Sequence, residues 1–149
     1  MSDSLVIRPL TAADKTAWAE LWRAYLEFYE TTVAEDIYDT TFARLCDPDR
    51  TEQMAFVAEQ DGVPVGLVHY IFHAHNWKIE PVCYLQDLYA DPKVRGLGIG
   101  RKLIEAVYEA ADAAGCPTVY WLTQEFNTTA RQLYDRIAVV TPFIKYNRS

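Results

Sequence analysis

The chain has 149 residues, half of them hydrophobic, which suits one domain able to bury its own core. A formal charge of -7 and a pI near 4.9 argue against a broad nucleic-acid or anionic-membrane surface, because neutralising phosphates takes clustered Lys and Arg. Cys46, Cys83 and Cys116 form no CxxC pair, the first residues carry no signal-peptide pattern, and no window approaches the ~20 apolar residues of a membrane span, so a cytoplasmic chain with reduced thiols is expected.

Residues 5–8 read as a short strand, and Thr11 to Asp14 reads as a capping box opening a helix. Trp18, Leu21, Trp22, Tyr25, Leu26 and Tyr29 recur at helical spacing, a core stripe whose outer end, Tyr25 and Tyr29, is placed to line a pocket. Between Arg23 and Arg44 there is no basic residue, yet Glu27, Glu30, Glu35, Asp36 and Asp39 fall there; they make either a solvated helix face or a lip that attracts a cationic substrate. A second helix is expected in this region. Residues 54–59 and 65–72 are β-rich runs around an Asp61-Gly62 hairpin signal. A third run, 82–89, is closed by Asp91-Pro92, since proline cannot donate to a ladder. From Gly98 to Ala114, Leu103, Ile104, Val107, Tyr108 and Ala111 make one helical stripe stopped by Gly115. Residues 118–123 read as strand, Asn127 as the N-cap of a helix reaching Arg136, and 143–146 as a last strand. The order β-α-α-β-β-β-α-β-α-β predicts one α/β domain over 1–149.

The stretch VRGLGIGRKL, 94–103, places Gly96, Gly98 and Gly100 at the mouth of a helix, where bare amides and the positive end of the helix dipole suit a phosphate. Arg101 stands where a dinucleotide fingerprint needs its third glycine, and no P-loop pattern exists. The pattern present is Arg95-Gly96-Leu97-Gly98-Ile99-Gly100 after a strand and Asp-Pro. It resembles the pyrophosphate loop of the Gcn5-related N-acetyltransferases, which use acetyl-CoA. Together with the run from Tyr84 to Pro92 and the stretch from Asn127 through Ala130 to Tyr134, the resemblance covers about residues 5–146. The run from Val65 through Trp77 to Asp87 further resembles the diamine and polyamine branch. The chain is also similar to small fungal acetyltransferases acting on histones, polyamines or amino acids.

The resemblance implies a mixed, mostly antiparallel sheet flanked by helices. It implies that Gly96, Leu97, Gly98, Ile99, Gly100 and Arg101 wrap the CoA pyrophosphate, with Arg95 adding charge. The pantetheine arm would pair with the main chain of Leu88, Tyr89 and Ala90, and Asn127 and Ala130 would lie on its other side. Tyr134 would direct its hydroxyl at the CoA sulfur. The acceptor amine would lie among Tyr29, Glu30 and Gln86. A homodimer, with residues 142–146 as a candidate contact, is also implied.

An amine of lysine type has a pKa near ~10.4 and must lose a proton before it attacks. Related enzymes often place Glu where this chain has Gln86, and an amide cannot act as base. Asp87 is adjacent, but strand alternation turns it to the opposite face unless a bulge intervenes. Glu30, Glu125 and a water chain are the other candidates. His69, His73 and His75 share parity, but His69 and His73 stand roughly 13 Å apart on a straight strand at ~3.3 Å per residue, so ordinary imidazoles and no metal are expected. The expected activity is acetyl transfer to a small cationic amine by direct attack on the thioester. A protein- or histone-tail acetyltransferase and a non-catalytic CoA-binding sensor are the alternatives.

Overall fold

A computed structural model describes residues 5–94 and 96–148; Arg95, expected to add charge to the pyrophosphate loop, lies outside the described residues. The elements are β1 (Leu5–Pro9), one 3-10 turn (Ala12–Asp14), α1 (Lys15–Phe28), α2 (Glu35–Leu45), β2 (Gln53–Gln60), β3 (Val63–His73), β4 (Val82–Ala90), α3 (Ile99–Ala113), β5 (Val119–Tyr120) and α4 (Thr128–Ile137). The five strands lie side by side in chain order, antiparallel except for the parallel pair β4 and β5 that α3 connects. The α/β class expected from the sequence is therefore found.

Alternation sends the two faces of the central strands to different helices. Trp18, Leu21 and Trp22 of α1 pack with Tyr38, Phe42 and Leu45 of α2 against Ala55, Val57 and Leu67. On the other face, Leu103, Ile104, Val107 and Ala111 of α3 cover Ala58, Val68, Tyr70, Cys83 and Leu85. Burying a side chain such as Leu103 stabilises the fold by roughly 1.5–3 kcal/mol. The first turn of α3 comes so close to β3 that a Cβ on Gly66 would lie 2.8 Å from Ile99 Cγ2 and 3.0 Å from the Tyr89 carbonyl oxygen.

Local chemistry sets the ends of these elements. Asp14 accepts from the Thr11 amide at 2.8 Å and the Thr11 hydroxyl at 3.1 Å, and Arg8 grips both its oxygens at 2.8 Å. Asp61 and Gly62 both hold positive φ, 53° and 83°, as a two-residue turn matched to the strand twist requires.

Two expectations change. The strand expected over 118–123 contracts to Val119–Tyr120, and the expected strand at 143–146 does not form. A strand persists where a neighbour takes its backbone groups, and β5 pairs β4 only at Cys83 and Tyr84. The chain beyond α4 instead leaves Val139, Phe143, Ile144 and Tyr146 exposed. The acidic stretch is also partly neutralised from α1, by Arg23 on Glu35 at 3.3 Å and Lys15 on Asp39 at 2.7 Å.

Candidate active site

The site is built on an irregularity in β4. His69 pairs with Asp87, but the next residue of β3, Tyr70, pairs with Leu85, leaving Gln86 as an extra residue in the ladder. Leu85 therefore points into the α3 core, and Asp87 turns to the α1 face instead of following alternation onto the α3 side. This is the bulge on which the acid–base role of Asp87 depended. Gln86 itself is exposed, as is Glu30, which ends α1 in the left-handed region at φ 57°.

Only 13% of the Asp87 side chain is exposed, and its Oδ2 lies 2.8 Å from His69 Nδ1. The Tyr25 phenol stands beside it. Burial, and next the negative charge of Asp87, push the phenols of Tyr25, Tyr29 and Tyr84 above their usual range. Tyr25 packs against Tyr29 at 5.0 Å, and Tyr84 stacks on Tyr120 at 4.9 Å. Among the described residues, no lysine or arginine pairs with Asp87. The result is a carboxylate at the floor of an aromatic wall, an environment that attracts a cation by charge and by the faces of the rings.

Beyond Tyr84, β4 loses its second neighbour, and among the described residues no strand pairs Gln86 to Ala90 on the β5 side. At the end of this edge the chain enters the glycine loop. Gly96 and Gly98 hold positive φ, 78° and 64°, and no side chain caps α3. The first backbone bond of α3 runs from the Lys102 amide to the Gly98 carbonyl at 3.0 Å, which leaves the amides of Ile99, Gly100 and Arg101 at the open helix end. A phosphate fits there for the reasons read in the sequence, and an extended arm fits that edge of β4. Arg101 is half-exposed and shares its charge with Glu105 at 3.1 Å.

α4 closes the third side. Asn127 caps it, its side-chain oxygen accepting from the Ala130 amide at 3.5 Å. Leu133 packs toward α3, its Cδ2 3.6 Å from where a Cβ of Gly100 would stand, with Leu88 Cδ2 at 4.0 Å. The expected stretches of β4, the loop and α4 thus meet at Gly100. Tyr134 sits edge-on to Trp121 at 5.4 Å. Burial, and then the nearby Tyr29, raise its phenol pKa, so the phenol stays protonated at neutral pH. Tyr29 is close enough to both Tyr134 and Asp87 for its phenol to sense the Asp87 charge and to raise the Tyr134 phenol.

The three histidines do not act together. His69 is buried against Trp18, His73 bonds to the Tyr120 hydroxyl at 2.8 Å, and His75 packs on Trp77. His69 and Tyr84 lie at Asp87, and neither is given a role there by the sequence. The signal for them was the adjacent polar pair Gln86-Asp87 inside an apolar run, which breaks alternation and announces a bulge.

Residues 16–138 match the acetyltransferase (GNAT) family, and the chain belongs to it. It is similar to the D-amino-acid N-acetyltransferase HPA3 of Saccharomyces cerevisiae, 38% identical over 151 residues that span 100% of this chain and 93% of the relative. A thialysine N-epsilon-acetyltransferase of Bos taurus is 39% identical over 70 residues, 47% of this chain and 41% of the relative. Among solved structures, the aminoglycoside N-acetyltransferase AAC(6')-Iy in complex with CoA superposes with a TM-score of 0.82 at 19% identity, covering 97% of this chain and 94% of that one. The protein is an acetyl-CoA-dependent N-acetyltransferase of the GNAT type. Among the described residues, no helix is long and apolar enough to cross a membrane.

Proposed function

We propose that the protein moves the acetyl group of acetyl-CoA to the primary amine of a small cationic acceptor of lysine, diamine or polyamine kind, with Asp87 receiving the acceptor's ammonium. One observation carries this reading: Asp87 is a largely buried anion that no lysine or arginine among the described residues neutralises, ringed by Tyr25, Tyr29 and Tyr84. A bound ammonium completes the pair. Glu27, Glu30 and Asp36, all exposed near the cleft end of α1 and in α2, favour the same charge. Relatives named for D-amino acids and thialysine support a small amine acceptor.

In this reading Gly96 to Arg101, with Arg95, hold the pyrophosphate. Leu88, Tyr89 and Ala90 pair with the pantetheine arm, which Asn127 and Ala130 flank. Gln86 and Tyr29 border the acceptor. The ammonium gives its proton to Asp87, the freed nitrogen attacks the thioester carbonyl, and backbone amides of the β4 edge stabilise the oxyanion. As the C–S bond breaks, Tyr134 donates its proton to the sulfur; the nitrogen, left cationic by the attack, gives up its second proton, which returns through solvent to the Tyr134 phenolate, and Asp87 releases the first to water. The product amide is uncharged at that nitrogen, so it loses its attraction for Asp87 and departs.

Thiol release from acetyl-CoA, measured with lysine-like compounds, diamines, polyamines, D-amino acids, histone peptides and no acceptor, tests the reading. Small amines with a second cationic centre should turn over best. A preference for histone peptides would assign a protein-tail enzyme, and CoA binding without turnover on any acceptor would assign a sensor; either result removes the proposal.

We propose also that two copies associate through the chain beyond α4. That segment and β5 enclose a cavity of about 960 Å³ lined by Val119, Trp121, Val139, Phe143 and Ile144. Phe143 and Tyr146 are 82% and 88% exposed, a patch that a second copy would cover.

A further inference from the structure

Behind Asp87, a buried chain of hydrogen bonds runs between α1 and the sheet. The Trp18 indole Nε1–H of α1 donates to His69 Nε2 at 2.9 Å, and His69 Nδ1 meets Asp87 Oδ2 at 2.8 Å. An indole nitrogen can only donate, so His69 Nε2 must present its lone pair, and the ring proton must sit on Nδ1, aimed at Asp87. His69 is 4% exposed, between the rings of Trp18 at 5.9 Å and Trp22 at 5.6 Å, which leaves it no room to rotate into another arrangement. The Tyr25 phenol of α1 stands beside the same carboxylate.

We propose that His69 is a positioning residue for acetyl transfer: Trp18 fixes its tautomer, and His69 holds the Asp87 carboxylate oriented to receive the acceptor's ammonium. This rests on the role given to Asp87 above. His69 itself takes no proton from the acceptor, because the nitrogen that could accept one is occupied by the Trp18 N–H. Its contribution is directional. A carboxylate on a bulged strand has two free torsions, and the His69 donor arriving from β3 restricts them.

Two substitutions separate orientation from packing. His69→Asn retains an N–H close to the Nδ1 position and loses the partner of Trp18. His69→Gln reaches the Nε2 position with an amide oxygen that can accept from Trp18, and loses the donor to Asp87. The Asn variant is expected to melt at a lower temperature while keeping kcat within threefold of the parent. The Gln variant is expected to keep its melting temperature more nearly while kcat falls at least tenfold, with the KM for acetyl-CoA unchanged. The ring nitrogens of His69, observed by 15N NMR in the full chain, should report a protonated Nδ1 and a bare Nε2. Equal losses in both variants, a larger kcat loss in the Asn variant, or the opposite tautomer would overturn the proposal. Asp87→Asn, assayed beside them, separates the two levels: if it is inactive while His69→Gln is fully active, only the positioning role fails. If Asp87→Asn is fully active, the reading of Asp87 itself fails and takes the positioning role with it.

Discussion

Asp87 stands opposite His69 across the β3–β4 ladder because Gln86, its neighbour, has been extruded from register. Without that extra residue, the carboxylate would point into the apolar face covered by Leu103, Ile104 and Val107. The bulge thus converts a residue that would destabilise the core into the anion of the cleft. Asp87→Asn keeps the shape and an oxygen for His69, so the fold should persist. We expect kcat/KM for the acceptor to fall by ~10²–10⁴ with acetyl-CoA affinity unchanged. A loss below threefold, measured by steady-state kinetics, would remove Asp87 from the reaction.

Gly98 begins α3 at φ 64°, with nothing within 4 Å of a Cβ built on it. A side chain there meets no clash, and the obstacle is the left-handed backbone itself, worst for a β-branched residue. Gly98→Val should therefore turn the loop and scatter the amides of Ile99, Gly100 and Arg101. We expect acetyl-CoA binding to weaken at least tenfold, about 1.4 kcal/mol by calorimetry. Gly98→Ala should lose less. Unchanged affinity in a folded Val variant would take the loop out of the site.

Most of the frame was legible because it is local. The stripe Leu103, Ile104, Val107, Ala111 and the stop at Gly115 define α3 within seventeen residues, and Asp61-Gly62 carries its own turn geometry. Trp18 and His69 are 51 positions apart, and nothing in the local pattern of either marks the bond between them. The segment 143–146 misled for the same reason: its β-prone residues state a preference, but a ladder needs a second strand, and the described residues offer none there.

Acid should loosen the start of α1. The Arg8 fork, helped by the Thr11 amide and hydroxyl, holds the Asp14 carboxyl at about 2, below the ordinary ~3.9 of an unfolded chain. A depressed carboxyl contributes its stability above the unfolded value and loses it as pH falls through the folded one. This contribution, about 2 kcal/mol, should therefore be complete above pH ~4 and vanish between pH ~4 and ~2. Asp14→Asn should lower the melting temperature at pH 7 and flatten the decline over that window. Parallel stability curves for the two proteins would refute the assignment.

The exposed chain beyond α4 predicts an assembly. Light scattering at micromolar concentration should give twice the 17.1 kDa of one chain. Deleting residues 142–149 should return the monomer mass with CoA binding retained. A parent protein that scatters as a monomer would exclude the pairing.

Tyr134 stands on α4 edge-on to Trp121, close enough to Tyr29 for the two phenols to interact. Its ring belongs to the partly buried layer around α3, so packing alone would account for the aromatic carbon. The hydroxyl is what the proposed chemistry needs. Burial first, and Tyr29 second, raise the phenol above its ordinary ~10. The protonated form is therefore the resident one throughout the neutral range and past pH ~10, and any alkaline fall in kcat below that must come from another group. A thiolate leaving the tetrahedral intermediate meets a donor that is already charged with its proton. Such general-acid help is commonly worth ~10²–10⁴ in rate. Tyr134→Phe removes one oxygen and keeps the ring against Trp121, so melting temperature and acetyl-CoA affinity should hold while kcat drops at least tenfold. Single-turnover thiol release decides between the two roles: a slowed burst with intact binding marks the hydroxyl as the acid, and an unchanged burst leaves Tyr134 as a packing residue.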